Sequence, residues 1–243
     1  MTEWSSFLDR PDRNEIEFAR ELIDFRGSPQ ELFTLYERAG TVLGRAMAKA
    51  LTARDYSKEA KKVAVVVEAE EADSVGSMFL HQLAAAQIEA SLVCLWMTSQ
   101  PSPLRNNKFL VDISQEFFEE VAEPDLIIVL KPVSLRPDIT VAMLHRIWTD
   151  SNVPVMVVAP LATTNELNAM RNDLAAEFDR TVATGFFVEM TRIPRIVNRT
   201  TLGSRQALSY SREGTLNWFI PAIVEERLQP LIELNPNPGF KLR

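Results

Sequence analysis

Three polar loops in this chain gather residue types that handle phosphate, and each follows an apolar run. The first holds Glu68, Glu70, Glu71 and Asp73, with Ser74 behind them. Carboxylates so placed can hold a cation that bridges phosphate groups, or accept hydrogen bonds from ribose hydroxyls. Without a cation they would repel a bare phosphate, and acids at a helix start are also the ordinary furniture of a solvated turn. The second loop runs from Lys131 through Ser134 and Arg136 to Thr140. Two cations beside a helix N-terminus make an anion site. The competing reading takes the Lys131 ammonium to solvent and pairs Arg136 with an acid such as Glu70. In the third loop Thr163, Thr164 and Asn165 offer small polar groups to a phosphate, and simple capping explains the same residues. A fourth feature is a basic strip. Arg192, Arg195, Arg199, Arg205 and Arg212 fall between Thr191 and Arg212 without one acid. Such a strip suits a phosphate-bearing ligand, a nucleic acid or the acidic patch of a second subunit. Tyr210 is its single aromatic, which is poor support for base stacking. Pairing with the chain's own surplus carboxylates would account for it equally.

Much chemistry is excluded by composition. The 243 residues contain eight glycines, and the nearest two, Gly40 and Gly44, lie four apart. Neither G-x-G-x-x-G nor a Walker loop can be built. His81 and His145 each fall in a predicted helix without a second histidine or cysteine at ligand spacing, which argues against an imidazole or thiolate metal centre. A carboxylate magnesium site stays open. The single cysteine, Cys94, excludes an internal disulfide, lies in an apolar run and fits a reducing cytosol. A net charge of −7 disfavours general nucleic-acid binding. No apolar run is long enough to span a membrane. The N-terminal residues lack a basic stretch followed by an apolar one, so no secretory signal is expected. The expected compartment is the cytoplasm.

The elements that must position these loops follow from periodicity. Val63–Val67, Leu126–Leu130 and Val153–Ala159 are uniformly apolar, as strands covered on both faces of a parallel sheet would be. Ligands of such sheets bind beyond the carboxyl ends of the strands. Residues 1–57 read as helical, with Ile16, Ala19 and Ile23 on one face. Gly27-Ser28-Pro29 breaks the pattern. Ser28 then caps a helix over 29–53, with Pro29 at its start and Glu31 completing a capping box. Gly40, Gly44 and Ala48 form a small-residue stripe on that helix, suited to packing on the sheet or to a subunit contact. Further on, strands are expected at 62–68, 91–98, 125–131, 153–159 and 181–188, with helices at 74–88, 138–150 and 164–178. Val111–Ile113 reads as a short strand, and Ser114–Phe118 as the start of a capped helix. Residues 215–233 read as an amphipathic helix with Pro221 in its first turns or at a kink.

This order of elements, across residues 30–190, resembles the phosphoribosyltransferase fold. The resemblance implies a pyrophosphate-binding loop at Ala69–Gly76 after the strand Val63–Val67. It implies a mobile hairpin near Pro101–Val111 and a phosphoribosyl-pyrophosphate signature after Leu126–Leu130. Val157-Val158-Ala159-Pro160 is similar to the uracil branch. The family's signature has two adjacent acids for the ribose hydroxyls, then three residues and a Thr-Gly-x-Thr turn around the 5′-phosphate. In this chain the acids' places hold Lys131-Pro132, and the turn is Arg136-Pro137-Asp138-Ile139-Thr140 with one residue to spare. Thr140 matches the last threonine, and nothing else does.

The expectation is therefore an α/β protein. A mainly parallel sheet has helices on both faces, an N-terminal helical segment (1–57), a core (58–190), and a basic segment with a C-terminal helix (191–243). Its expected role is that of a phosphoribosyltransferase-like, non-catalytic binding or assembly subunit, forming a homo-oligomer and without a certain cofactor. One alternative is an atypical magnesium-dependent phosphoribosyltransferase. In it, Glu70, Glu71 and Asp73 would manage the metal-bound pyrophosphate, while Lys131 and Arg136 would contact phosphate. The other is a nucleic-acid-associated regulator using the arginine strip.

Overall fold

The uniformly apolar runs form the middle of a six-stranded sheet. In the computed structural model, residues 12–52, 62–101, 109–119, 123–133, 137–150, 153–164, 167, 168, 170, 183–190, 208–210, 216–218 and 220–234 are described. The strands are β1 (Lys62–Glu68), β2 (Glu89–Pro101), β3 (Phe109–Phe118), β4 (Leu126–Leu130), β5 (Val155–Thr163) and β6 (Ala183–Met190), in the order β3-β2-β1-β4-β5-β6. All neighbours are parallel except β2 and β3, which form an antiparallel pair at one edge.

Period-two alternation divides each central strand between two cores. Val63, Val65 and Val67 join Leu126, Ile128 and Leu130 in one apolar cluster. Ala64 and Val66 join Ile127 and Val129 in the other. The first cluster is covered by α1 (Arg13–Asp24), α2 (Pro29–Thr52), the helical stretch after β1, and α6 (Ala222–Leu234). The second is covered by α5 (Pro137–Asp150) and by helical residues Leu167 and Met170. Helices thus lie on both faces, as the alternation of runs required. No helix among the described residues is long and apolar enough to cross a membrane.

Local signals set the helix starts. Asp12 caps α1, and the Glu15 side chain returns to the Asp12 amide. At α2, Ser28 Oγ accepts from the Glu31 amide at 3.3 Å, and Glu31 Oε2 accepts from the Ser28 amide at 2.6 Å. That is the reciprocal box expected from the sequence. The glycine stripe packs on a helix rather than on the sheet. A Cβ on Gly40 would stand 2.3 Å from the Val75 carbonyl oxygen, and one on Gly44 would stand 2.7 Å from Gln82 Cβ.

Four further expectations are corrected. Ser114–Phe118 is not a helix start, for it completes β3 and pairs with β2 as far as Val93↔Phe118. Cross-strand pairing overrides a weak capping signal there. The supposed loop Ala69–Gly76 is helical: α3 (Ala69–Glu71), a wide π turn (Ala72–Gly76) and α4 (Ser77–Ala85) run on without a break. Leu216–Trp218 is not the start of the last helix, because it forms β8 and pairs with β7 (Leu208–Tyr210). Pro221 does not kink that helix but stands just before it, its carbonyl accepting from the Val224 and Glu225 amides.

Candidate functional site at the carboxyl edge of the sheet

The strand order turns at β1 and β4. From β1 the chain builds outward to β2 and β3, then returns to the other side for β4, β5 and β6. In open α/β sheets, ligands bind at such a switch point, beyond the carboxyl ends of the strands.

Register decides which side chains meet there. β1 and β4 pair in parallel from Val63↔Leu126 to Val66↔Val129. The same offset sets Glu68 beside Lys131. Lys131 keeps its place in the ladder, its amide donating to the Val158 carbonyl at 2.9 Å. Its ammonium donates to Glu68 Oε1 and, at 3.1 Å, to Glu71 Oε2. The Lys131 side chain is only 5% exposed, against 13% for Glu68 and 18% for Glu71. The crevice is therefore crossed by an internal ion cluster rather than left open.

Two half-buried carboxylates around one buried ammonium leave a surplus negative charge. Burial pushes the Glu71 carboxyl well above the ordinary range, and the neighbouring Glu70 carboxylate adds to the shift. With a proton on Glu71, the cluster of Glu68, Lys131 and Glu71 is neutral. Tyr36, on α2, faces the same acid. Burial first, then the Glu71 carboxylate, pushes its phenol up. Glu70 is exposed, and its carboxyl is also raised by desolvation.

Other expected site residues turn inward as well. Asp73, in the wide turn, accepts from the Ala222 amide on Oδ2 and the Ile223 amide on Oδ1, both at 3.0 Å. It caps α6 from across the fold. Ser74 is buried and donates to the Glu71 carbonyl at 3.3 Å. Thr140 is fully buried in α5, and Thr163 is buried at the end of β5. Thr164 donates to Glu189 Oε1 at 2.8 Å. Lys131 neither reaches solvent nor stands as a bare cation, so both earlier readings of it give way to the buried cluster. Ser134, Arg136 and the arginines of the strip (Arg192, Arg195, Arg199, Arg205 and Arg212) lie outside the described residues.

Two acids that could belong to an acidic patch for such a strip, Glu116 and Glu119, are engaged within the chain. Glu116 takes a bidentate pair from Arg146, at 2.6 and 2.8 Å. Glu119 accepts from Arg227 Nη1 at 2.5 and 2.7 Å. No group of three His, Cys, Asp or Glu suited to a metal ion occurs among the described residues.

The sequence reading missed the partnership of Glu68, the place of Tyr36 and the Arg227–Glu119 clamp. A signal for the first was present. Val63–Val67 and Leu126–Leu130 are runs of equal length, and each ends directly in a charge, one negative and one positive. Aligned in parallel, the runs bring those charges together.

The sheet order, with its reversed edge strand, and the helices on both faces make the fold phosphoribosyltransferase-like. Among solved structures, the chain is similar to the AQ2163 protein from Aquifex aeolicus, with a TM-score of 0.52 at 15% identity over 76% of this chain and 88% of that one. An orotate phosphoribosyltransferase from Mycobacterium tuberculosis, solved with 5-phospho-α-D-ribosyl 1-diphosphate, gives 0.41 at 13% identity over 75% and 92%. A hypoxanthine phosphoribosyltransferase from Trypanosoma cruzi, solved with the product IMP, gives 0.43 at 10% identity over 70% and 94%. At these identities the likeness extends to fold alone, and the overlap with the two enzymes carries no chemistry to this chain. No protein-family model matches the sequence, and no match was found among curated proteins.

Proposed function

We propose that this phosphoribosyltransferase-like chain is a non-catalytic binding or assembly subunit. One observation carries the reading: Lys131 is buried at the switch point and bound to Glu68 and Glu71. A lysine and a proline stand where the resemblance asks for an acidic pair. Neither side chain can accept a hydrogen bond from a ribose hydroxyl. One of the three acids that would manage a magnesium-bound pyrophosphate, Asp73, is committed to the amides of α6. The experiment is incubation with phosphoribosyl pyrophosphate, magnesium and the common nucleobases, read by nucleotide formation. No turnover is expected. Robust turnover that is lost in Glu70→Gln or Asp73→Asn would replace this reading with the atypical enzyme.

The assembly side of the proposal rests on the edge of the sheet. β3 is an edge strand, and Leu110 and Phe118 on it are 58% and 42% exposed. An edge carrying exposed apolar residues is a template for pairing. A second copy of the chain is the proposed partner. Light scattering at micromolar concentration should give an oligomer mass, and a monomer mass at low and moderate salt would remove it.

A further inference from the structure

The helix α6 begins without a cap of its own. Pro221 precedes it, and proline has no side-chain acceptor for the first amides. Those amides, on Ala222 and Ile223, are satisfied by Asp73, which lies 149 and 150 residues earlier. A second clamp sits farther along the helix. Arg227 donates to Glu119 at 2.5 and 2.7 Å and to the Ala90 carbonyl at 3.4 Å. Ala90 is the second residue of β2, so α6 runs along β2 from the carboxyl edge toward the start of that strand.

Between the clamps two apolar side chains of the helix are buried. Ile223 and Val224 are buried, Ala222, Glu225 and Glu226 are exposed, and Arg227 and Leu228 are half-buried. Ile223 and Val224 join the cluster that holds Ala69, Ala72 and Val75 of the acidic helical stretch. Cys94, on β2, belongs to the same cluster and is buried. Burial first, then the Asp73 carboxylate, pushes its thiol up. A segment with two buried apolar side chains and a few polar fastenings, as 222–228 is, opens locally below the cost of global unfolding.

We propose that α6 is a releasable strap, held by the Asp73 cap and the Arg227–Glu119 clamp, whose opening uncovers β2 and the turn Ala72–Gly76 together. Release returns both Asp73 oxygens to solvent beside Glu71 and exposes the floor on which Ile223 and Val224 rest. The strap thereby governs access to one face of the carboxyl edge, independently of what binds there.

The full chain carries its own reporter, since Cys94 is the single cysteine. Alkylation of Cys94 by N-ethylmaleimide, in native buffer and in low urea, is followed by mass spectrometry beside amide hydrogen exchange. Arg227→Met removes one fastening without touching the carboxylate near the thiol. It should raise the alkylation rate roughly tenfold, with exchange rising jointly in 222–234 and 69–76 and little change in β4 and β5. Asp73→Ala should act alike. Adding Pro221→Ser gives the helix a cap of its own and should restore its protection. Unchanged alkylation in Arg227→Met would overturn the strap. So would alkylation that follows the urea dependence of global unfolding, or variants that fail to fold, because α6 would then be part of the indivisible core.

Discussion

Lys131 Nζ stands 3.1 Å from Glu71 Oε2, one carried by the end of β4 and the other by the helical turn after β1. Glu68 closes the cluster from the other side. The ammonium thus joins the two halves of the sheet at the place where a ligand would otherwise enter. Replacing it by methionine keeps most of the packing volume and leaves two half-buried acids without a cation. Lys131→Met should cost about 3 kcal/mol at neutral pH, at the lower end for breaking a buried pair, because Glu71 can take up a proton. Urea unfolding measures it. Glu68→Gln in the same chain should recover part of the loss, since one uncompensated charge is removed. Full additivity of the two losses would show that the residues do not interact.

Glu71 sets the sign of a pH dependence. Its carboxyl titrates above the ordinary 4.5 in the folded chain. Between 4.5 and that raised value the native state holds a proton that the unfolded chain has lost. The stabilisation is complete below the unfolded value and is lost as pH rises through the folded one. Urea midpoints should therefore fall as pH rises from about 4.5 through that raised value, and Glu71→Gln should flatten the fall. Partial desolvation also raises Glu15 and Glu70, so a residual slope of the same sign will remain. Parallel curves for the wild type and Glu71→Gln would show that Glu71 does not titrate in this window.

The glycine stripe makes a prediction of opposite sign to helix propensity. Alanine in a helix interior normally gains about 1 kcal/mol over glycine. At Gly40 the new Cβ would meet the Val75 carbonyl at 2.3 Å, and a backbone oxygen cannot turn away. Gly40→Ala should therefore destabilise the chain by about 1–3 kcal/mol, the usual cost of overpacking. Denaturation midpoints decide the matter, and a stabilised variant would mean that α2 and the wide turn stand farther apart. Oligomer mass should not change, because the stripe is already covered within the chain.

What was legible in the sequence followed from strong local patterns. β1, β4 and β5 are buried on both faces, so nothing polar interrupts their runs. The start of α2 was written in Ser28 and Glu31. Where two readings competed locally, tertiary pairing chose between them. In β3, Ser114 and Glu116 look like a helix start, yet Glu116 pairs with Leu95 of β2, and Ser114, at a bulge in that ladder, donates to the Trp96 carbonyl. The site was harder. Asp73 is recognisable as a cap, but its helix lies at the far end of the chain, and no local pattern tells a residue which distant amide it will meet. Lys131 looked like a free cation because its partners, Glu68 at the end of β1 and Glu71 in the helical stretch after it, lie 63 and 60 residues earlier.

Arg146 links α5 to the edge strand in two ways. Its guanidinium grips Glu116 through Nε at 2.6 Å and Nη2 at 2.8 Å. It also lies over the ring of Phe118, 5.2 Å from the centroid. Lysine keeps the charge but has neither the planar fork nor the flat face that stacks on a ring. Arg146→Lys should therefore lose about 1 kcal/mol, a figure held low because both side chains are partly wet. A charge-only interaction would survive the exchange, so the lysine variant separates geometry from charge. Glu116→Gln alone, and combined with Arg146→Lys, completes a double-mutant cycle in urea. A coupling near zero would assign the cost to lost packing on Phe118 alone. The ring, already 42% exposed, loses its cover in the lysine variant. Light scattering should then show stronger self-association through the β3 edge, and an unchanged mass would place the assembly surface elsewhere.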